Sequence, residues 1–273
     1  MFGSEVDLLV LLFVVGLVAA AIDAIAGGGG LMTVPALLLT GLGPVETLAT
    51  NKFQGSFGSV TSSVVFWRRG LVEPRIALPM GVLSAAGAML GALSVGMISR
   101  AALETAIPVM LIAIAVYFLF ARRMTDADSR ARMGMGLVTA TLVPTIGFYD
   151  GIFGPGTGTF FMLAFVTLLG FGVLRATVHT KVANAGSNLG SLAVFWAMGA
   201  IDFKLGLVMA AGAFTGAQLG SRLAMRFGAD LIRPLLVVIC CALAIKLLAD
   251  PKNPIRRMMG GEAVPSQLAT SQQ

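Results

Sequence analysis

The sequence predicts an all-α polytopic integral membrane protein: two homologous repeats of four to five transmembrane helices, each with a Gly-broken or re-entrant segment. Three observations predict it. First, 57% of the 273 residues are hydrophobic and only 12% charged, with a mean hydropathy of +0.90. A soluble domain carries about 25% charged residues, so this chain has too few charges to coat a water-facing surface. Second, it divides into apolar runs near the roughly 20 residues a helix needs to cross a bilayer. Third, two of these runs are interrupted in the same way, at Asp23-Ala-Ile-Ala-Gly27-Gly28-Gly29-Gly30 and at Asp150-Gly151-Ile-Phe-Gly154-Pro155-Gly156-Thr157-Gly158. Glycine loses more backbone entropy than other residues, so such runs do not hold a regular helix. A carboxylate inside an apolar run is costly and marks function.

Taken in order, residues 8–26 form the first span. Glu5 and Asp7 stand where a signal peptide would be basic, so this span is read as retained. Residues 31–41, with Pro35 inside, are too few to cross untilted at 1.5 Å per residue. Residues 47–67 form a Ser/Thr/Gly-rich span that ends at Phe66-Trp67-Arg68-Arg69. Spans at 74–98 and 101–121 complete a first repeat, 1–121. A charged linker, 122–132, separates it from a second repeat, 133–250. That repeat holds 133–153, a short segment 157–172, and spans at 175–198, 203–226 and 231–249. A polar tail, 251–273, follows.

The halves read as copies. Asp23 corresponds to Asp150 and Gly27 to Gly154; after two extra residues Lys52 corresponds to Lys181, Ser62 to Ser191, Phe66-Trp67 to Phe195-Trp196 and Gly70 to Gly199. Gly87-xxx-Gly91 corresponds to Gly216-xxx-Gly220, the small-residue spacing that lets membrane helices approach closely. Matched Trp, Lys and spaced Gly are hard to obtain by chance. If the short segments turn back without crossing, the repeats are parallel. If they cross, the repeats are inverted, as in other transporters with broken helices, and that arrangement is preferred here.

The net charge of +6 does not point to nucleic acid, because Lys and Arg sit in short loops, where they act as topology signals. Cys240 and Cys241 are adjacent and apolar-flanked, without metal-ligand spacing, and read as small buried residues. Gly154-x-Gly156-x-Gly158 lacks the strand and spacing of a dinucleotide loop, and Gly27–Gly30 lacks the Gly-Lys-Ser/Thr ending of a P-loop. With one histidine and no Cys/His cluster, neither a catalytic metal site nor a nucleophile–His pair is expected. No enzyme activity, cofactor or metal is predicted.

The polar positions point to an anion. Thr50, Asn51, Lys52 and Gln54 open the third segment, and His179, Thr180, Lys181, Asn184, Ser187, Asn188 and Ser191 open its counterpart. Positions 184, 187, 188 and 191 recur at helical spacing and form one polar stripe. Facing lipid, that stripe would leave donors unpaired, so it faces another helix or a watered cavity. Interhelical hydrogen bonding alone would account for it, except that each stripe starts at a lysine. Each lysine either snorkels to an interface or binds an anion. The glycine breaks also open helix N-termini, whose free N–H groups attract anions. The candidate substrate-binding set is therefore Lys52, Lys181, Thr50, Asn51, Thr180, Asn184, Asn188, Gly28, Gly29, Gly30, Gly156, Thr157 and Gly158. Asp23 and Asp150 could pair with the lysines when the site is empty, or take up a proton, since desolvation disfavours a charged carboxylate. They could equally cap the breaks. His179 could titrate near neutral pH but ranks below the lysines, because a lone His beside a helix end is usually structural.

These motifs together, Asp23 with Gly27–Gly30 and Pro35, Thr50-Asn51-Lys52-x-Gln54, Asp150 with Gly154-Pro155-Gly156-Thr157-Gly158, and Thr180-Lys181 with Asn184, Ser187 and Asn188, resemble the TauE/SafE sulfite exporter family over nearly the whole chain. His179 departs from the Thr expected at its position. The resemblance implies an inner-membrane, multi-pass permease with duplicated halves that exports sulfite, sulfoacetate or a related sulfur-containing anion. The expected function is a secondary transporter of a small anion such as sulfite or an organosulfonate, coupled to H+ or Na+. The partners expected are the anion, the lipid bilayer and the coupling ion, with self-association into a homo-oligomer left open. Two alternatives stand beside it: a passive anion channel or facilitator, and a membrane subunit of a sulfur-handling system that transports nothing itself.

Overall fold

The computed structural model describes residues 5–98, 102 and 127–227. The spans expected at 101–121 and 231–249, most of the linker, Cys240, Cys241 and the tail lie outside the described residues. Within the described residues the chain is helical and without strands: α1 (Glu5–Ala26), α2 (Gly30–Leu38), α3 (Pro44–Arg68), α4 (Pro74–Val95), α5 (Met135–Ile152), α6 (Thr157–Thr167), α7 (Val173–Ala197) and α8 (Phe203–Phe227). Pro44 and Pro74 start α3 and α4, where a missing N–H costs nothing. The boundaries follow the expected segments with one notable difference. The segment expected over 157–172 stops being helical at Thr167. Gly170 has φ +71°, and residues 168–172 turn back to accept and donate hydrogen bonds with residues 128–133.

The distribution of polarity is that of a protein solvated by lipid. Val10, Val14, Leu78, Val82, Leu90, Leu93, Leu207 and Phe214 are exposed, whereas Asn51, Lys52, Gln54, Asp150, His179, Lys181, Asn184 and Asn188 are buried. Three helices, α1, α4 and α5, are long and apolar enough to cross a membrane. Helices α3, α7 and α8 are 25 residues each; α3 and α7 spend much of their length on the buried polar groups just named.

Glycine stripes set the packing and reveal helix direction. Gly212, Gly216 and Gly220 of α8 abut the carbonyls of Phe13, Leu17 and Ala21 of α1 in rising order, so the two helices run parallel. Gly87 and Gly91 of α4 abut Pro144 and Phe148 of α5, again parallel, and Gly186 and Gly190 of α7 abut Gly81 and Ala85 of α4. Gly206 of α8 meets Phe53 of α3 and Gly58 of α3 meets Ala213 of α8, a further parallel pair. In contrast, Gly55 of α3 lies against Asn188 of α7 while the Phe53 ring lies 6.5 Å from that of Trp196, so α3 and α7 are antiparallel. Helices α1, α3 and α8 therefore point one way and α4, α5 and α7 the other. The helices that carry corresponding motifs, α1 and α5, α3 and α7, α8 and α4, run in opposite directions. Because α1 and α3 share a direction, the chain between Ala26 and Pro44 must return the distance that α1 covers, and α2 lies on that return.

These directions sort charge to the two ends. Arg68, Arg69, Arg75, Arg130, Arg132, Arg175, Arg222 and Arg226 belong to one end; Glu5, Asp7, Glu46, Asp202 and Lys204 belong to the other. At the basic end, Arg175 bridges Glu73 (2.8 Å) and Asp128 (2.7 Å) and lies 4.1 Å from the Phe171 ring centroid. At the acidic end, Lys204 pairs with Glu5. Asp128 also accepts the Gly172 N–H at 2.6 Å, and that bond first, then Arg175, holds its carboxyl below the usual carboxylate range. A depressed carboxyl contributes stability above its unfolded value, near 3.9, which is lost as pH falls through the lower folded value. The Asp128 contribution to the strap over residues 168–172 is thus present at neutral pH and is lost as pH falls through the lowered carboxyl value, while the backbone bonds from Ser129, Arg132 and Met133 remain. Asp128→Asn is expected to speed amide hydrogen exchange at Gly170–Gly172 several-fold at pH 7 with little change in global melting, since the pair is exposed and screened. Unchanged exchange at these amides would remove Asp128 from the strap.

Candidate functional site

The two glycine breaks touch. Gly27 has φ +80° and packs against Gly158 and Thr159, and Gly30 packs against Gly154 and Pro155. A left-handed φ at Gly27 and at Gly154 (+84°) is what lets α1 and α5 stop mid-structure and hand the chain to α2 and α6. A side chain at Gly27 would also meet the Thr159 backbone nitrogen at 2.7 Å, so the contact between breaks requires glycine twice over.

Each break is held by a lysine from the other half. Lys52 Nζ on α3 lies 2.7 Å from Asp150 Oδ1, and Lys181 Nζ on α7 lies 2.9 Å from Asp23 Oδ2 and also donates to the Asp23 carbonyl. Both lysine side chains are 1% exposed; Asp150 is 2% and Asp23 17% exposed. Taking such groups out of water costs several kcal/mol per ion, and mutual pairing offsets this only with good geometry and further hydrogen bonds. Such bonds are within reach: the Gly29 N–H donates to Asp23 Oδ1 at 3.2 Å, and the Thr157 hydroxyl, with one hydrogen to give, lies 2.6 Å from Asp150 Oδ1 and 2.8 Å from the Gly154 carbonyl. Among the described residues, Asp150 Oδ2 is buried without a hydrogen-bond partner.

A cavity of about 50 Å³ opens where the breaks meet. That is room for a few waters or one small oxyanion, far below the 300–1,000 Å³ of a drug-sized pocket. Its lining includes Asp23, Gly28, Gly29, Gly30, Thr33, Asn51, Lys52, Gln54, Asp150, Gly154, Gly156, Thr157, Gly158, Asn184 and Asn188, with Ala19, Ala20, Gly55, Gly58 and Ser59 completing the wall. Asn51 Oδ1 accepts from the Thr33 hydroxyl (2.5 Å) and from Gln54 Nε2 (3.0 Å), which leaves its Nδ2 for the cavity. Asn188 donates to Asn184 at 2.8 and 3.2 Å, which leaves Asn184 Nδ2 in the same position. Among the described residues, no hydrogen bond within the chain uses the N–H groups of Gly28, Gly30 or Gly158.

Most of the residues expected from sequence converge here, and four do not line the cavity. Lys181 stands behind Asp23. The Thr50 hydroxyl accepts the Asp202 N–H at 3.0 Å, at the α7–α8 connection. Thr180 is buried with its hydroxyl unpartnered. His179 Nδ1 lies 2.9 Å from the Arg175 carbonyl, and its Nε2 is 3.9 Å from Glu73, on the basic end. Thr33 lines the site without having been singled out. It is one hydroxyl in an apolar helix, and its only sequence signal is its position three residues after the glycine run.

Residues 12–247 match the family model described as sulfite exporter TauE/SafE. The chain is 54% identical over 253 residues to a protein from Sinorhizobium sp named probable membrane transporter protein ORF9, covering 93% of this chain and 97% of that one. It is 44% identical over 245 residues to a probable membrane transporter protein of Haemophilus influenzae (90% and 96% covered), and 42% identical over 244 residues to the probable membrane transporter protein YfcA of Escherichia coli K12 (89% and 90% covered). No solved structure matches the chain.

Proposed function

The chain belongs to the sulfite exporter TauE/SafE family, and from that premise we propose that it is a multi-pass inner-membrane secondary transporter. It exports a small sulfur-containing anion, such as sulfite or an organosulfonate, in exchange or in company with a cation, H+ or Na+. The observation that carries the reading is the small cavity at the contact of the two breaks. The residues that line it include Lys52, Asn51 and Asn184, and Gly28, Gly30 and Gly158, whose N–H groups no hydrogen bond among the described residues uses. Donors of this kind favour an oxyanion. Related proteins named as membrane transporters support transport over catalysis.

The opposed directions of α1 and α5, α3 and α7, and α4 and α8 support inverted repeats, with α2 and α6 as the returning arms of broken helices. They also favour one orientation. By the positive-inside rule the arginine-bearing end is cytoplasmic, which puts the N-terminus outside. In a background with Cys240 and Cys241 replaced by Ser, Glu46→Cys is expected to react with an impermeant maleimide on intact cells and Arg69→Cys only after permeabilisation. The reverse labelling would invert the orientation.

The function itself is tested with purified protein in proteoliposomes. Labelled sulfite should cross faster than in empty vesicles and be competed by organosulfonates but not by organic cations. Purified, folded protein that moves none of these anions would overturn the reading.

A further inference from the structure

We propose that Asp150 is the proton site of this transporter: its Oδ2 takes up the proton that releases Lys52 to the anion, and Na+ takes no part in the cycle. This rests on the anion-transport reading above. The two carboxylates look equivalent in sequence and differ in what they touch. Both oxygens of Asp23 are served, Oδ1 by the Gly29 N–H and Oδ2 by Lys181, and Lys181 also caps the Asp23 carbonyl. The oxygens that Asp23 could offer a coupling Na+, its carbonyl and its Oδ2, are already taken by the Lys181 ammonium. At Asp150, by contrast, Lys52 and Thr157 both address Oδ1, and Oδ2 is buried with no donor. An ionised oxygen out of water and without a donor is the costly arrangement. A proton on it removes that cost.

The charges then balance step by step. With the cavity empty, two ammoniums face two carboxylates. One proton from water bonds to Asp150 Oδ2, the carboxylate becomes a neutral acid, and the Lys52 ammonium is left without a counter-charge. One monoanion entering the cavity supplies it and restores neutrality. On the far side the anion leaves, the proton returns to water and the Lys52–Asp150 pair re-forms. Linkage requires the reverse as well: a bound anion tightens the proton. Among the described residues the other titratable groups near this point are engaged: Asp23, across the cavity, is paired with Lys181. Tyr149 commits its hydroxyl to the Pro155 carbonyl at 2.7 Å, Lys181 is held by Asp23, α6 brings the Thr157 hydroxyl, which is not titratable, and α4 presents Ala88, Gly91 and Ala92 against Gly151.

Infrared difference spectra of the purified protein, acid minus neutral, test the site directly. The wild type should show the carbonyl stretch of a protonated carboxylic acid, retained in Asp23→Asn and lost in Asp150→Asn. Should Asp150→Asn fail to fold, Asp150→Glu keeps the acid and should keep the band while moving its frequency; a band unmoved in Asp150→Glu overturns the proposal. No band in the wild type, or a band that follows Asp23, overturns the proposal. In proteoliposomes, methanesulfonate, which stays ionised throughout, should carry protons with it at about one per anion, and replacing Na+ by choline should leave the rate unchanged; dependence on Na+ overturns it equally. Were wild-type vesicles to move no anion, the transport reading would fall, and the infrared band would still decide the proton site.

Discussion

Lys52→Ala is expected to lower the rate of sulfite transport in proteoliposomes by between about 30-fold and 3,000-fold. Removing one partner of a buried, hydrogen-bonded charge pair costs about 2–5 kcal/mol, and each 1.4 kcal/mol is about tenfold. Lys52 is the ammonium that lines the cavity, while Lys181 stands behind Asp23, so Lys52→Ala should cut transport more than Lys181→Ala does. Both truncations also strand a carboxylate, and a stranded buried charge destabilises by about 3–5 kcal/mol on its own. The two effects separate in the double variant. Lys52→Ala with Asp150→Ala removes both charges and should recover most of the thermal stability lost by Lys52→Ala alone, yet it should not recover transport. Recovery of both would make the pair a structural bolt, and wild-type transport by Lys52→Ala and Lys181→Ala alike would end the role of the lysines.

The lysines could be located from sequence because a charge in an apolar run has few places to go. Their partners could not. Asp23 and Lys52 share a half, as do Asp150 and Lys181, yet the bonds cross between halves: Lys52 to Asp150 and Lys181 to Asp23. Such pairings depend on how α3 and α7 approach the opposite break, which no local pattern encodes. Helical phase explains the other differences. Consecutive residues on a helix are turned by about 100°, so Asn51 and Lys52 reach the cavity while Thr50, one position earlier, faces the Asp202 N–H. Thr180 and His179 are turned away in the same way, one and two positions before Lys181, which reaches Asp23 behind the cavity wall. The stripe at Asn184 and Asn188 was legible because both residues are polar at one phase. The glycine breaks were legible as interruptions, but their mutual contact, which makes the cavity, was not. That helix α6 ends at Thr167 inside the short segment 157–172 was not legible, because the apolar composition of residues 168–172 conceals a hairpin-like return held by the linker.

Gly216→Ala is expected to be the most damaging single-methyl change away from the cavity. Its Cβ would fall inside the contact distance of the Leu17 carbonyl oxygen, and Gly212 and Gly220 bring α8 equally close to Phe13 and Ala21. Without a hydrophobic force between helices in lipid, dispersion across such close backbones carries the association, so pushing α1 and α8 apart forfeits it along the whole stripe. Overpacking costs about 1–3 kcal/mol, and a helical carbonyl, unlike a side chain, cannot rotate away, which places this site at the upper end. For a chain of this size that is a fall of roughly 2–12 °C in melting temperature, read by size-exclusion chromatography of heated detergent samples. Gly136→Ala in α5 is the matched control. Among the described residues nothing lies within 4 Å of the added methyl, and the φ of Gly136 is not left-handed, so the variant should gain up to about 1 kcal/mol of helix propensity. If Gly216→Ala melts with the wild type, the glycine stripe does not hold α1 to α8. If it melts low but transports normally per folded molecule, the stripe is scaffold. If it transports slowly as well, the α1–α8 contact, which joins the first half to the second, moves with the cycle.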